Sequence, residues 1–356
     1  MKRIAVMGLG KVGTLAAELL ALAGFEVTGY DLAARDDGLP FASRALDLAD
    51  ASAMGGALRD ADAVLSCLPY HLNAGLAHAA HAAGIHYFDL TEDVPTTRAI
   101  IELAATSRGL MAPQCGLAPG FVGIVGAALI GRLDTCRSCK MRVGALPQHP
   151  TGLMGYSFNW SPEGVVNEYL NDCEVLEDGE HKWVSPMEWI EKIMIGGVEL
   201  EAFTTSGGLG TMCETYLGRV PNIDYKTMRY PGHVKLMNFF FHELLMRERR
   251  AEAGEILVHA KPPVSEDVVY VHVAAEGEAD GRLRREEFVR AYKPVEIAGK
   301  MRTAIAWTTA SSVVAVIEMV RAGSLPQRGF LRQEDIPMAA FFDTTGGQRY
   351  ARGGMA

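Results

Sequence analysis

No apolar run in this sequence of 356 residues reaches the roughly 20 residues that a membrane-spanning helix needs, so no membrane partner is expected. Basic residues are in deficit. Lys and Arg number 34 against 43 Asp and Glu, a net charge of −9, which argues against a broad phosphate-binding face, and nucleic acid is not an expected partner. Cysteine is sparse and scattered, at Cys67, Cys115, Cys136, Cys139, Cys173 and Cys213. Cys136 and Cys139 have the spacing of half a zinc site, but no second pair or His-x-His partner lies near them. Small buried residues are the better reading, and no metal is expected. The sequence has no internal repeat or low-complexity segment. Glycines interrupt the apolar run after Lys2 and Arg3, so it is not read as a signal peptide, and a cytoplasmic location is expected by default.

The composition, 49% apolar and 22% charged, is that of an ordinary globular protein. The length is large for one hydrophobic core, so two domains are expected. Over the first ~120 residues short apolar strands alternate with helices. Ile4–Met7, Phe25–Tyr30, Ala61–Cys67, Ile85–Leu90 and Leu110–Pro113 read as continuous apolar strands of the kind buried on both faces of a parallel sheet. Beyond residue ~135 the strands are longer and polar on one face: Lys140–Leu146, Glu199–Thr204, and Val268–Ala274 paired with Phe288–Tyr292 across Asp280-Gly281. Val234–Arg250 and Ala304–Arg321 read as helices, and the tail with its Gly-Gly pairs is expected to fray. The expected fold is α/β: a Rossmann doubly wound parallel sheet, plus a second α+β domain with a mostly antiparallel sheet.

Gly8-Leu9-Gly10-Lys11-Val12-Gly13 fits G-x-G-x-x-G in the required context of a strand before and a helix after. Gly8 would make the tight turn, Gly10 would let the backbone approach a pyrophosphate, and Gly13 would allow close helix–strand packing. The helix N-terminus then offers unpaired N–H groups to the phosphates. Asp31, 18 positions past Gly13, ends the next strand. A carboxylate there accepts from the ribose hydroxyls and repels a 2′-phosphate, so NAD is expected, with NADP left open by Arg35. The reacting centre of such a sheet lies beyond the carboxyl ends of its strands. That brings in Cys67-Leu68-Pro69, Thr91-Glu92-Asp93, and the segment from Cys115 to Pro119 and Gly120.

Several segments together resemble the saccharopine dehydrogenase family, including its lysine 6-dehydrogenase branch. They are GLGKVG, HYFDLTED at His86–Asp93, QCGLAPGF at Gln114–Phe121, YSFNWSPEGVVNEY at Tyr156–Tyr169, TTSGGLGT at Thr204–Thr211 and YKTMRYPGH at Tyr225–His233. The resemblance implies NAD(P)-dependent oxidation of a C–N bond on an amino acid or its secondary-amine adduct, or the reverse imine reduction. It also implies that a Rossmann domain of residues 1–121 is completed by residues 304–356, with residues 122–303 supplying substrate contacts and a homodimer interface. Short length and an acidic second-strand end lean toward oxidation of the L-lysine ε-amine.

Hydride loss from an amine needs a neutral nitrogen, hence a base, and an amino-acid carboxylate needs a fixed cation. Arg229 is the candidate clamp, with a surface arginine or an interdomain ion pair as the alternative. His233 is the candidate acid/base, because histidine changes charge near neutral pH; the alternative is a helix cap. Glu92 is a candidate base or ammonium ligand, though with Asp93 it could equally serve the positive end of the next helix. Tyr87 and Asn159 are candidate substrate contacts, and Ser161-Pro162 reads as a helix start.

Overall fold

The computed structural model describes residues 1–35, 38–47 and 50–353. It divides the chain into unit 1, Met1–Ile124 with Ala306–Arg352, and unit 2, built from Val125–Ile305. Along the chain unit 1 begins with β1 (Arg3–Met7), α1 (Lys11–Leu22), β2 (Glu26–Asp31), β3 (Ala42–Ala45), α2 (Ala51–Leu58), β4 (Ala63–Ser66), α3 (Tyr70–Ala83), β5 (His86–Phe88), α4 (Val94–Ala104) and β6 (Leu110–Ala112). α5 (Phe121–Ile130) leads into unit 2. All of these strands pair in parallel, in the order β6-β5-β4-β1-β2-β3. Strand order reverses between β1 and β4, which is where a doubly wound sheet opens its crevice. Parallel pairing requires crossovers that cover the faces. Accordingly β1 is buried from Ile4 to Met7 and β4 along its whole length.

Unit 2 carries β7 (Thr135–Pro147), α6 (Pro162–Leu170), β8 (Cys173–Glu177), β9 (Glu180–Val184), β10 (Glu191–Ile195), β11 (Val198–Thr204), α7 (Met212–Tyr216), β12 (Asn222–Arg229), α8 (His233–Asn238), α9 (Arg250–Ala260), β13 (Asp267–Ala279) and β14 (Arg282–Tyr292). The sheet runs β10-β11-β12-β7-β13-β14, with β8 and β9 branching from β12. Of these pairings only β12 with β7 is parallel. Asp280 and Gly281 turn the β13–β14 hairpin with φ of 54° and 68°, the two positive values a tight primed turn needs. One part of the sheet packs Leu200, Phe203 and Met228 against Val166 of α6, Met237 of α8 and Leu257 of α9. Ser161 caps α6, accepting from Gly164 N at 3.1 Å with Pro162 at the first helical position. Cys136 and Cys139 lie three apart on β7, but the register shifts between them, so they pair with Gly277 and Ala275, two apart on β13, and share a face; both are free thiols. Among the described residues no group of His, Cys, Asp or Glu could hold a metal.

The single helix expected over Val234–Arg250 is broken into α8, a π-helical turn at Phe239–Glu243, a tight turn at Met246–Glu248, and the start of α9. Leu245 has φ 57°, and one left-handed residue cannot be absorbed into a right-handed helix.

The chain returns to unit 1 through α10 (Ala304–Ala322), α11 (Met338–Asp343) and α12 (Thr345–Ala351), and its Gly329–Phe330 strand extends the parallel sheet beside β6. One expectation fails here, that of a frayed tail. By length and composition α10 is apolar enough to cross a membrane, but 83% of it is buried; a helix apolar all round is what a protein interior demands. The tail does not fray as far as Ala351, and residues 354–356 lie outside the described ones. Tyr350 stacks on Phe121 at 4.0 Å, and its hydroxyl donates to Thr308 O at 2.5 Å. The glycines permit that contact: a Cβ on Gly346 would sit 2.3 Å from Ser311 O. Gly346→Ala is therefore expected to destabilise the protein by about 1–3 kcal/mol, read as a lower urea midpoint; an unchanged midpoint would show that this packing is not tight.

Candidate dinucleotide and substrate sites

The turn after β1 is built from backbone at close quarters. Gly8 has φ 90°, and its N–H donates to Tyr30 O at 2.9 Å. A Cβ on Gly8 would lie 2.8 Å from Cys67 O, and one on Gly13 only 1.9 Å from Gly8 O, so neither position accepts a side chain. Gly10 differs: nothing lies within 4 Å of its missing Cβ. It caps α1 with no side-chain hydrogen bond, so the cap's own side chain takes none of the first N–H groups of the helix, which lie at its positive dipole end. This cradle fits a pyrophosphate. Lys11 is exposed and Val12 half-buried at the same helix start. Leu9 is not a cofactor contact: its side chain is 1% exposed, its N–H donates to Asp31 Oδ2 at 2.7 Å, and its carbonyl accepts from Thr14 Oγ1 at 2.8 Å. Asp31 thus holds the turn as well as ending β2, and Arg35 reaches back to Thr14 Oγ1 at 2.9 Å.

At the carboxyl ends of β4, β5 and β6 lies a carboxylate that sequence reasoning missed. Asp89 is fully buried, accepting from Thr91 N at 3.0 Å, Gln114 N at 2.9 Å and Tyr87 Oη at 2.8 Å. Burial pushes its pKa up to about 6, against the lowering effect of those three bonds. The available signal was a lone aspartate closing an apolar strand at the carboxyl edge of the sheet. This bracing corrects several expected contacts. Tyr87 spends its hydroxyl on Asp89 and is wholly buried, so it is not a substrate contact; His86 uses Nδ1 to accept from Leu110 N at 3.1 Å. Thr91 is buried, with Oγ1 accepting from Asp93 N at 3.2 Å. Cys115 is buried, its thiol donating to Ala112 O at 3.1 Å and lying 3.4 Å from Gln333 Nε2. Asp93 is the cap of α4, accepting from Thr96 N at 2.9 Å, and Glu92 beside it is half-buried. Cys67 and Leu68 are half-buried and Pro69 exposed, at the start of α3. Pro119 and Gly120 are buried in a tight loop closed by Phe121 N donating to Gly116 O at 2.9 Å.

Unit 2 brings Arg229 and His233 into one cluster through Tyr169, a residue not singled out beforehand. Arg229 ends β12 and is 2% exposed. Its Nε donates to Tyr169 Oη at 2.8 Å, its Nη1 to Thr227 Oγ1 at 2.7 Å and Met228 O at 2.9 Å, and it lies over the Tyr156 ring at 4.6 Å. Burial works against its charge, but Tyr156, Tyr169 and Glu168 outweigh that and hold it above the usual arginine range. His233 is fully buried, and burial together with Arg229 pulls its pKa down to about 3. Both effects favour the neutral ring, against the acid/base role expected of it. Nor does it cap α8 with its side chain; Glu201 accepts from Gly232 N and Val234 N at 2.9 and 2.7 Å and does that work. Asn159 is also corrected: both ends of its amide bond to Val264, at 3.1 and 2.7 Å, tying two loops together.

Residues 4–109 match the family model "Saccharopine dehydrogenase NADP binding domain", and residues 116–344 match "Saccharopine dehydrogenase C-terminal domain". The chain belongs to the saccharopine dehydrogenase family. Among curated proteins, saccharopine dehydrogenase [NADP(+), L-glutamate-forming] of Schizosaccharomyces pombe is 25% identical over 142 residues, 38% of this chain and 32% of that one. The match spans about a third of that relative's length. Among solved structures, apo saccharopine dehydrogenase (L-Glu forming) from Saccharomyces cerevisiae is similar with a TM-score of 0.75 at 16% identity, over 97% of this chain and 98% of that one. An engineered D-amino acid dehydrogenase is similar at a TM-score of 0.50 and 13% identity, over 99% of each chain. At such identities the likeness concerns the fold. For this saccharopine dehydrogenase family member, the glycine cradle and the matched domain agree on a nicotinamide dinucleotide as cofactor.

Two predictions follow from the buried charges. The unfolded chain protonates a histidine below about 6.5 while folded His233 waits until about 3, so stability falls with acid through that window by about 1.4 kcal/mol per pH unit. Asp89 acts in the opposite sense: between 3.8 and about 6 the folded state holds the extra proton, so its contribution falls as pH rises through that interval. In urea unfolding across this range, His233→Gln should flatten the acid loss and Asp89→Asn should steepen it; parallel curves for all three proteins would refute both assignments. Separately, Asp31→Asn keeps an acceptor for Leu9 N while removing the charge. The ratio of NAD to NADP affinity should fall, and titration of each cofactor will check it.

Proposed function

We propose that the protein is an NAD(P)-dependent dehydrogenase acting on a C–N bond of an amino acid, with oxidation of the L-lysine ε-amine to the semialdehyde as the first reaction to test. The single observation that carries this is a buried guanidinium without an ion pair. Arg229 makes its hydrogen bonds to a phenol, a hydroxyl and a carbonyl, and among the described residues no salt bridge reaches it. A buried cation lacking an anion is costly, and the carboxylate of an amino-acid substrate would supply one. Nε and Nη1 are taken, so the clamp would be end-on through Nη2, not a two-nitrogen fork.

A bound nicotinamide would accept the hydride. Gly8, Gly10, Gly13 and the start of α1 would hold its pyrophosphate. Asp89, by fixing Thr91 and Gln114, holds rigid the two loops beyond β5 and β6, where the reacting ring lies in a sheet of this kind. Glu92 is the candidate base that keeps the substrate amine neutral, since burial and the neighbouring Arg229 disfavour a proton on His233. A second reading is the saccharopine-type reaction, a secondary amine formed or cleaved between an amino acid and a carbonyl compound. It is favoured by the likeness over nearly the whole chain to the Saccharomyces cerevisiae enzyme.

Incubation with oxidised cofactor separates the two: L-lysine alone yields reduced cofactor under the first reading, and only saccharopine does so under the second. In either case Arg229→Ala should raise KM for the amino acid by about a hundredfold, equivalent to ~2.7 kcal/mol, with cofactor affinity kept. An unchanged KM removes the carboxylate role.

A further inference from the structure

We infer that Tyr169 and His233 form a fixed hydrogen-bond relay that aims Arg229 at the substrate, with His233 a neutral positioning residue that moves no proton. The inference rests on the carboxylate-binding reading of Arg229 and adds the device that orients it.

Donor and acceptor arithmetic fixes every proton in the relay. Met154 O, 3.1 Å from His233 Nδ1, can only accept, so Nδ1 carries the hydrogen. Arg229 Nε can only donate, so the Tyr169 oxygen accepts it at 2.8 Å. The phenolic proton then points to His233 Nε2 at 3.0 Å, which must be the bare nitrogen of a neutral ring. The chain of bonds runs from Arg229 to Tyr169 to His233 to Met154 with no polar atom left over. A protonated His233 would present a second donor to the Tyr169 oxygen and leave the phenolic proton without an acceptor.

The surroundings hold this arrangement in place. Glu201 of β11 grips the backbone on both sides of His233, at Gly232 and Val234. Gly232 has φ 96°, a value few other residues tolerate. The His233 ring meets Tyr156 at 5.1 Å, Tyr169 at 5.8 Å and Phe203 at 6.4 Å. The charged groups that bear on the cluster are Arg229 from β12 and Glu168 from α6. With Nε anchored by Tyr169 and Nη1 by Thr227 and Met228, Nη2 is the remaining nitrogen, and its direction is set by the relay.

Tyr169→Phe keeps the ring and deletes one oxygen. It should raise KM for the amino acid about tenfold while kcat and cofactor KM stay near wild type. A loss confined to kcat, or no change in either parameter, overturns the relay. Arg229→Ala is the control: a raised KM there with none in Tyr169→Phe sinks the relay alone. An unchanged KM in Arg229→Ala removes the carboxylate reading, and the relay's purpose with it. A readout independent of turnover is nitrogen-15 NMR of histidine-labelled protein, with His233 assigned by the signal missing in His233→Gln. Its signals should show the neutral Nδ1–H tautomer unchanged from about pH 5 to about pH 9, where an ordinary histidine titrates. Titration in that range, or an Nε2–H pattern, overturns the inference, and Tyr169→Phe supplies the same comparison if His233→Gln does not fold.

Discussion

A buried guanidinium that no salt bridge reaches among the described residues governs the second unit of this protein. Removing a cation from water costs several kcal/mol even after relaxation, and here its direct partners are neutral groups, the Tyr169 phenol, the Thr227 hydroxyl, the Met228 carbonyl and the face of Tyr156, with the charge of Glu168 adding to them. Much else follows from that one charge. Its field helps to keep His233 neutral, which turns a residue type often used for proton transfer into a rigid acceptor. Two rings of the segment Tyr156–Tyr169, those of Tyr156 and Tyr169, lie against the cation at 4.6 and 5.7 Å and partly solvate it. Glu201, which pins the start of α8, sets where the histidine ring can sit.

The first unit solves its problem with backbone. The cradle that fits a pyrophosphate is backbone at the start of α1, and several side chains near the sheet's carboxyl edge face inward. Leu9 fills space against Gly29, Thr91 braces Asp93, and Cys115 is sealed beneath Gln333. Asp89 is an inward-facing carboxylate that joins Tyr87, Thr91 and Gln114 in a single network. A cradle made of main-chain groups constrains few side-chain identities beyond its glycines. That is consistent with a fold kept at 16% identity to the yeast enzyme.

The parallel sheet, the glycine turn and the mixed second sheet were legible in the residues, because each rests on local or periodic rules: apolar runs between helices, glycines at a fixed spacing, an Asp-Gly turn between polar-faced strands. The Ser161-Pro162 helix start was legible for the same reason. What the sequence could not determine is where a polar side chain spends its hydrogen bonds. Tyr87, Asn159 and His233 were sensible candidates by residue type, yet their partners Asp89, Val264, and Tyr169 with Met154 lie 2 to 105 positions away. The same holds for charge state: His233 is neutral because folding removes its water and sets Arg229 beside it, and no local pattern encodes either event. Sequence by itself determined most of the parallel strands, the β13–β14 hairpin and the glycine turn. Only the tertiary structure decided which polar groups remain for chemistry, since burial and partner choice are properties of the packed chain.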